Sequence, residues 1–113
     1  MHIVHVYVME AHPGPPDPAP FRGLAGREEA PRQSRTYEDR VEMASTTNAM
    51  LEGSQLMLVD ELAPLARTNP MWCAYGPAAN SAFLVGQDGR ILEAHDWLDI
   101  AEMKSAIDNL LSE

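Results

Sequence analysis

Five of the eight residues from Pro13 to Pro20 are proline, and no helical or strand periodicity is sustained from there to Arg35. Proline fixes the backbone and removes an amide donor, so neither a helix interior nor a central strand can run through this stretch. Residues 13–35 are therefore expected to form one long extended loop, and loops of that length are usually functional or disordered. The loop isolates what precedes it. Ile3, Val4, His5, Val6, Tyr7, Val8 and Met9 are β-branched, aromatic or apolar without a breaker, as in a strand covered on both faces. Such a strand needs neighbours on each side, yet it starts almost at the first residue, so the chain is expected to begin partway into its fold.

Beyond the loop, regular structure is predicted from local signals. Thr36, followed by Tyr37, Glu38 and Asp39, has the pattern of a capping box with acids in the first turn. Tyr37, Val41, Ala44, Asn48 and Leu51 then recur on one helical face, widened by Met43 and Met50, until Gly53 ends the run. Residues 55–59 read as a short buried strand ended by Asp60 and Glu61. Pro64, Pro70 and Pro77 punctuate residues 61–80, which predicts a broken helical turn plus loop. Residues 81–85 and 90–94 flank Gly86, Gln87, Asp88 and Gly89, a hairpin signal. Asp99, with Glu102 after it, caps a final helix carrying an apolar stripe of Ile100, Met103, Ile107, Leu110 and Leu111.

Composition narrows the function classes. With 113 residues, the chain is one domain of common size and too short for a multidomain enzyme. A formal charge of −9 repels phosphate backbones and anionic lipid surfaces, so neither nucleic acid nor membrane is expected as a partner. Between Arg22 and Arg40, five basic residues face four acidic ones, a net of +1, which favours a solvated, salt-bridged loop over an anion-binding patch. No signal peptide or membrane-spanning run is visible, and a cytoplasmic location is the expectation. One cysteine, Cys73, excludes an internal disulfide and a thiolate zinc cage.

Glu10 and His12 sit just past the first strand, where open α/β sheets commonly bind ligands, and in extended backbone they point the same way. A carboxylate beside an imidazole suits proton donation near neutral pH. The plainer alternative is a strand-end acid and a loop histidine. His2 and His5 face opposite sides of a strand and His95 is isolated, so no metal site is expected. Cys73 is a weak candidate thiol; with no histidine or second cysteine near it in sequence, a buried inert role is the expectation. Trp72 and Tyr75 are candidates to line an aromatic pocket, though core packing under a loop is the commoner outcome.

Several segments together carry a resemblance: Val6-Tyr7-Val8-Met9-Glu10-Ala11-His12, then Ser34-Arg35-Thr36-Tyr37-Glu38-Asp39-Arg40, Val59-Asp60, Tyr75-Gly76, Ser81-Ala82-Phe83-Leu84-Val85 and Asp88-Gly89-Arg90-Ile91-Leu92. In this order they resemble the iodothyronine deiodinase family, a thioredoxin-fold group related to peroxiredoxins. The resemblance covers roughly residues 3–112 and implies an incomplete thioredoxin-like α/β sandwich, with two main helices on a mixed sheet of about four strands. It implies that Glu10 and His12 are the acid/base pair. Ser34 falls where the family has a substrate-contacting histidine, and Arg35 and Tyr75 are further substrate-binding candidates by the same resemblance. The family's proline ahead of a strand falls at Ala79, with Pro77 two residues earlier. The strand, nucleophile and helix that precede the Glu-x-His segment in the family have no counterpart here, and Cys73 matches no catalytic position.

The functional expectation is a redoxin domain capable of thiol-dependent reduction or reductive dehalogenation only when that nucleophile half is supplied, and inactive alone. The alternative is a noncatalytic binding or oligomerisation module on a degenerate thioredoxin scaffold. No cofactor is implied; the expected partners are a thiol reductant, a small-molecule substrate and further copies of the chain. Self-association is expected because an absent central strand would leave the edges of strands 3–9 and 81–85 unpaired.

Overall fold

The computed structural model describes residues 1–19, 26–53, 55–62, 69–75 and 80–113. Backbone contacts divide the chain into two compact units, Met1–Tyr75 and Gly76–Glu113. Among the described residues the fold is mixed α/β, with four short strands and three helices.

The first unit is a β-loop-α-β arrangement followed by a short helix. Strand β1 (Val4–Tyr7) pairs in parallel with β2 (Leu56–Val59), and helix α1 (Tyr37–Met50) lies between them in sequence. Parallel neighbours need such a crossover, which the loop and α1 provide. Helix α1 begins where the sequence predicts. The Thr36 hydroxyl accepts the Asp39 amide at 3.1 Å while the Asp39 carboxylate accepts the Thr36 amide at 3.2 Å, completing the capping box. Helix α2 (Pro70–Tyr75) is the helical turn expected within residues 61–80. The alignment of Ala79 and Pro77 with the family's proline falls outside the described residues.

The second unit consists of β3 (Ala82–Val85), β4 (Ile91–His95) and α3 (Ile100–Leu111). β3 and β4 form the antiparallel hairpin that the Asp-Gly signal predicts. Gly89 takes a positive φ of 82°, and its amide bonds the Gly86 carbonyl at 3.0 Å. Asp99 caps α3 by accepting the Glu102 amide at 2.9 Å.

Three expectations need correction. Among the described residues the four strands fall into two two-stranded sheets in place of one mixed sheet, β1 paired with β2 and β3 with β4. Nor are β1 and β2 covered on both faces. Tyr7 lies against Arg40 and Thr47 of α1, so strand alternation places Val4, Val6, Leu56 and Leu58 together on the opposite face. Val4, Leu56 and Leu58 there are 49%, 57% and 46% exposed. Full burial of a leucine is worth about 1.5–3 kcal/mol, much of which this face forgoes.

The third correction concerns α1. Its inward residues are Arg40, Met43, Ala44 and Thr47, whereas Tyr37, Val41 and Asn48 of the predicted apolar stripe are exposed. The helix is rotated toward Arg40 because that guanidinium finds backbone acceptors inside. Among the described residues Ala44 is buried, but most of the buried side chains are polar: Glu10, Ser34, Arg40, Asp60, Asn69 and His95. Five of these six belong to the first unit.

Candidate functional site

The polar residues of the first unit gather where β1 and β2 end. Glu10 follows β1 and anchors the loop's return. Its backbone amide donates to the Gln33 side-chain oxygen at 2.9 Å, and the Gln33 amide returns a bond to the Glu10 carbonyl at 3.0 Å. The Glu10 carboxylate accepts the Ser34 amide at 3.1 Å, the Ser34 hydroxyl, and the Tyr7 phenol at 3.3 Å. A buried carboxylate needs such donors, and three converge on this one.

Tyr7 completes that corner. Burial, then the charge of Glu10 and the hydrogen bond to it, push the Tyr7 phenol up to about 12. The phenol therefore remains a proton donor to Glu10 throughout the neutral range.

Asp60 organises the neighbouring corner from the end of β2. Its amide donates to the Tyr7 carbonyl at 2.8 Å, extending the parallel ladder by one residue. Its carboxylate accepts the amides of Met71 and Trp72, each at 3.0 Å, and so closes the N-terminus of α2. Arg40 reaches over from α1 and donates Nη1 to the carbonyls of Asp60 and Glu61, both at 3.2 Å. Arg40 Nε and Asn69 Oδ1 are buried without a hydrogen-bond partner among the described residues.

The loop's other fastening lies at the surface. Asp17 receives a two-pronged bond from Arg32, with both contacts at 2.8 Å, and accepts the Gln33 amide at 2.8 Å. Those bonds hold the Asp17 carboxyl at about 2, well below its ordinary range. Arg35, 73% exposed, stands 4.0 Å from the same carboxylate. A cleft of about 320 Å³ opens here, lined by Met9, Asp17, Pro18, Gln33, Ser34 and Arg35.

Of the residues singled out from sequence, Glu10 and Ser34 are brought into direct contact and Arg35 stands beside them at the cleft. His12 is exposed, and the hydrogen bonds that engage the Glu10 carboxylate come from Tyr7 and Ser34. Cys73 and Tyr75 ride on α2, which the structure ties to Asp60. The expectation that Cys73 is buried is corrected, because its thiol is exposed. The short helix has no buried residue at all. Among the described residues no group of three His, Cys, Asp or Glu side chains could hold a metal ion, and no helix is long and apolar enough to cross a membrane.

Sequence reading missed Arg40, Asp60, Gln33 and Tyr7 as members of this cluster. Two signals for them exist. Arg40 lies one helical turn before Ala44 and so shares its inward face, and Asp60 directly follows an apolar strand. In comparisons with protein-family models, curated proteins and solved structures, nothing matches this chain.

Proposed function

We propose that the chain is a thioredoxin-like redoxin domain of deiodinase type, which takes part in thiol-dependent reduction or reductive dehalogenation when a strand-nucleophile-helix segment is supplied to it. One observation carries this reading. Three of the six segments on which the resemblance rests, those holding Glu10, Ser34 with Arg40, and Asp60, meet in one buried polar cluster at the ends of two parallel strands. Strand ends of this kind are where α/β folds place ligands. In this reading a thiolate from the supplied segment attacks the halogen, peroxide oxygen or disulfide sulfur of the substrate. The bond to that atom breaks with its electron pair leaving on the departing fragment, which takes a proton. Two equivalents of thiol reductant then return the oxidised sulfur to the thiol as they become a disulfide. Glu10 fixes the floor of the site, while His12, exposed on the loop, serves as the proton donor.

The test is thiol-dependent turnover of small-molecule disulfide, peroxide and halogenated aromatic substrates. The chain alone is expected to show none, and the chain joined to a cysteine-bearing strand-nucleophile-helix segment is expected to turn over. Turnover by the chain alone that disappears in Cys73→Ser would instead make Cys73 the nucleophile.

A second reading, a noncatalytic binding or oligomerisation module, is favoured by a different observation. The apolar face of Val4, Leu56 and Leu58 is open, and among the described residues the sheet of β1 and β2 has just these two strands. In that reading the Glu10 cluster is a structural clamp and the chain works through copies of itself. Failure of the extended chain to turn over any substrate, together with a stable oligomer, would select it.

A further inference from the structure

His95, the last residue of β4, lies in the second unit, and its side chain is only 7% exposed. Two contacts fix its ring. The backbone amide of Asp99 donates to Nδ1 at 3.2 Å, and Nε2 stands 3.2 Å from Glu93 Oε1. A backbone amide can only donate, so Nδ1 is the bare acceptor nitrogen and the ring proton sits on Nε2, directed at the Glu93 carboxylate. This arrangement requires the neutral imidazole. An imidazolium carries a proton on each nitrogen and has no lone pair left to accept the Asp99 amide.

The bond matters because of where it falls. Asp99 is the N-cap of α3, accepting the Glu102 amide with its side chain and the Met103 amide with its carbonyl at 3.0 Å. Burial does little to hold the helix in place. No residue of α3 is buried among the described residues, and Ile100 and Leu111 are 75% and 70% exposed. The other backbone tie in the connecting turn runs from the Leu98 amide to the Asn80 carbonyl at 2.8 Å.

We propose that His95 is an acid-operated latch on α3. Neutral, it ties the helix cap to the end of β4; protonated, it drops the Asp99 amide, and the first turn of α3 separates from the hairpin. The titratable groups on the elements around the ring are Glu93 on β4, Asp96 and Asp99 in the connecting turn, and Glu102, Lys104 and Asp108 on α3. β3 meets His95 at Ala82 and carries none. Five of these six groups are acidic and Lys104 is paired with Asp108, so an imidazolium formed here finds compensating charge, while its lost acceptor has no substitute.

The experiment uses the whole chain and follows the His95 ring nitrogens and the Asp99 and Met103 amides by NMR from about pH 8 to about pH 5, the span in which histidine ordinarily titrates. At the upper end the Nε2-protonated tautomer is expected. Through the His95 midpoint, exchange protection at Asp99 and Met103 should fall together by about tenfold, the equivalent of one lost hydrogen bond. His95→Asn, whose side-chain oxygen takes the place of Nδ1 and accepts without titrating, should hold that protection across the range. An Nδ1-protonated tautomer at pH 8 overturns the proposal, as does a ring that stays neutral to pH 5. So does a His95 titration that leaves both amides unchanged. The wild-type spectra decide these points even if the variant fails to fold.

Discussion

Arg40 shows how one side chain can decide which way a helix faces. Buried to 1% exposure, it spends Nη1 on the backbone carbonyls of Asp60 and Glu61. Arg40→Met keeps the stem and removes the donors. Each charge-assisted bond is worth roughly 1.5–3 kcal/mol, so the urea midpoint should drop by the equivalent of about 3 kcal/mol with the slope unchanged. Tyr7 supplies a second test through its phenol, held up to about 12 against an ordinary value of 10.0. Because the folded-state value is the higher one, the contribution is fully present below pH 10. It is lost as pH rises toward about 12, where the unfolded chain ionises first. Unfolding measured across that window should show stability falling in the wild type and a flatter profile in Tyr7→Phe. Glu10 was legible in the sequence because an acid directly after an apolar strand has one obvious place to be. Arg40 was not, because pattern reading sends charged residues outward, and only the carbonyls of a segment twenty residues later draw it in.

At the scale of the element, what was legible is what local chemistry decides. The Thr36 capping box, the Asp99 cap and the Gly86–Gly89 turn each depend on residues within four positions of one another, and each forms as read. The partition into two sheets could not be read, since strand pairing is decided by contacts distant in sequence. Thr36→Ala removes one half of the box and should cost about 0.5–2 kcal/mol in thermal or urea unfolding. The loop has its own pH signature. Asp17 titrates at about 2 instead of 3.8, so its contribution is complete above the unfolded value and lost as pH falls from there through about 2. The Gln33 amide, bonded to Asp17, should lose exchange protection in that acid window, and Asp17→Asn should abolish the window while lowering protection at neutral pH. Loss of protection well above pH 4 would mean that some other carboxylate holds the loop.

For the molecule as a whole, a polar interior under an open apolar face makes its stability depend on correct hydrogen bonding more than on bulk burial. Light scattering with size-exclusion chromatography at micromolar concentration is expected to show a dimer or larger species. A monomer near 12.5 kDa with a cooperative melt would show that the open face and strand edges need no partner. Asp60 carries a different kind of consequence. Its amide serves β1, its carbonyl serves α1 and its carboxylate serves α2, so one residue answers to three elements at once. A substitution there breaks no pair that a single second change could restore. In a saturation library, position 60 should reject even asparagine and glutamate, and random second-site selection should return true revertants in place of compensators. Position 60 leaves evolution no small steps to take.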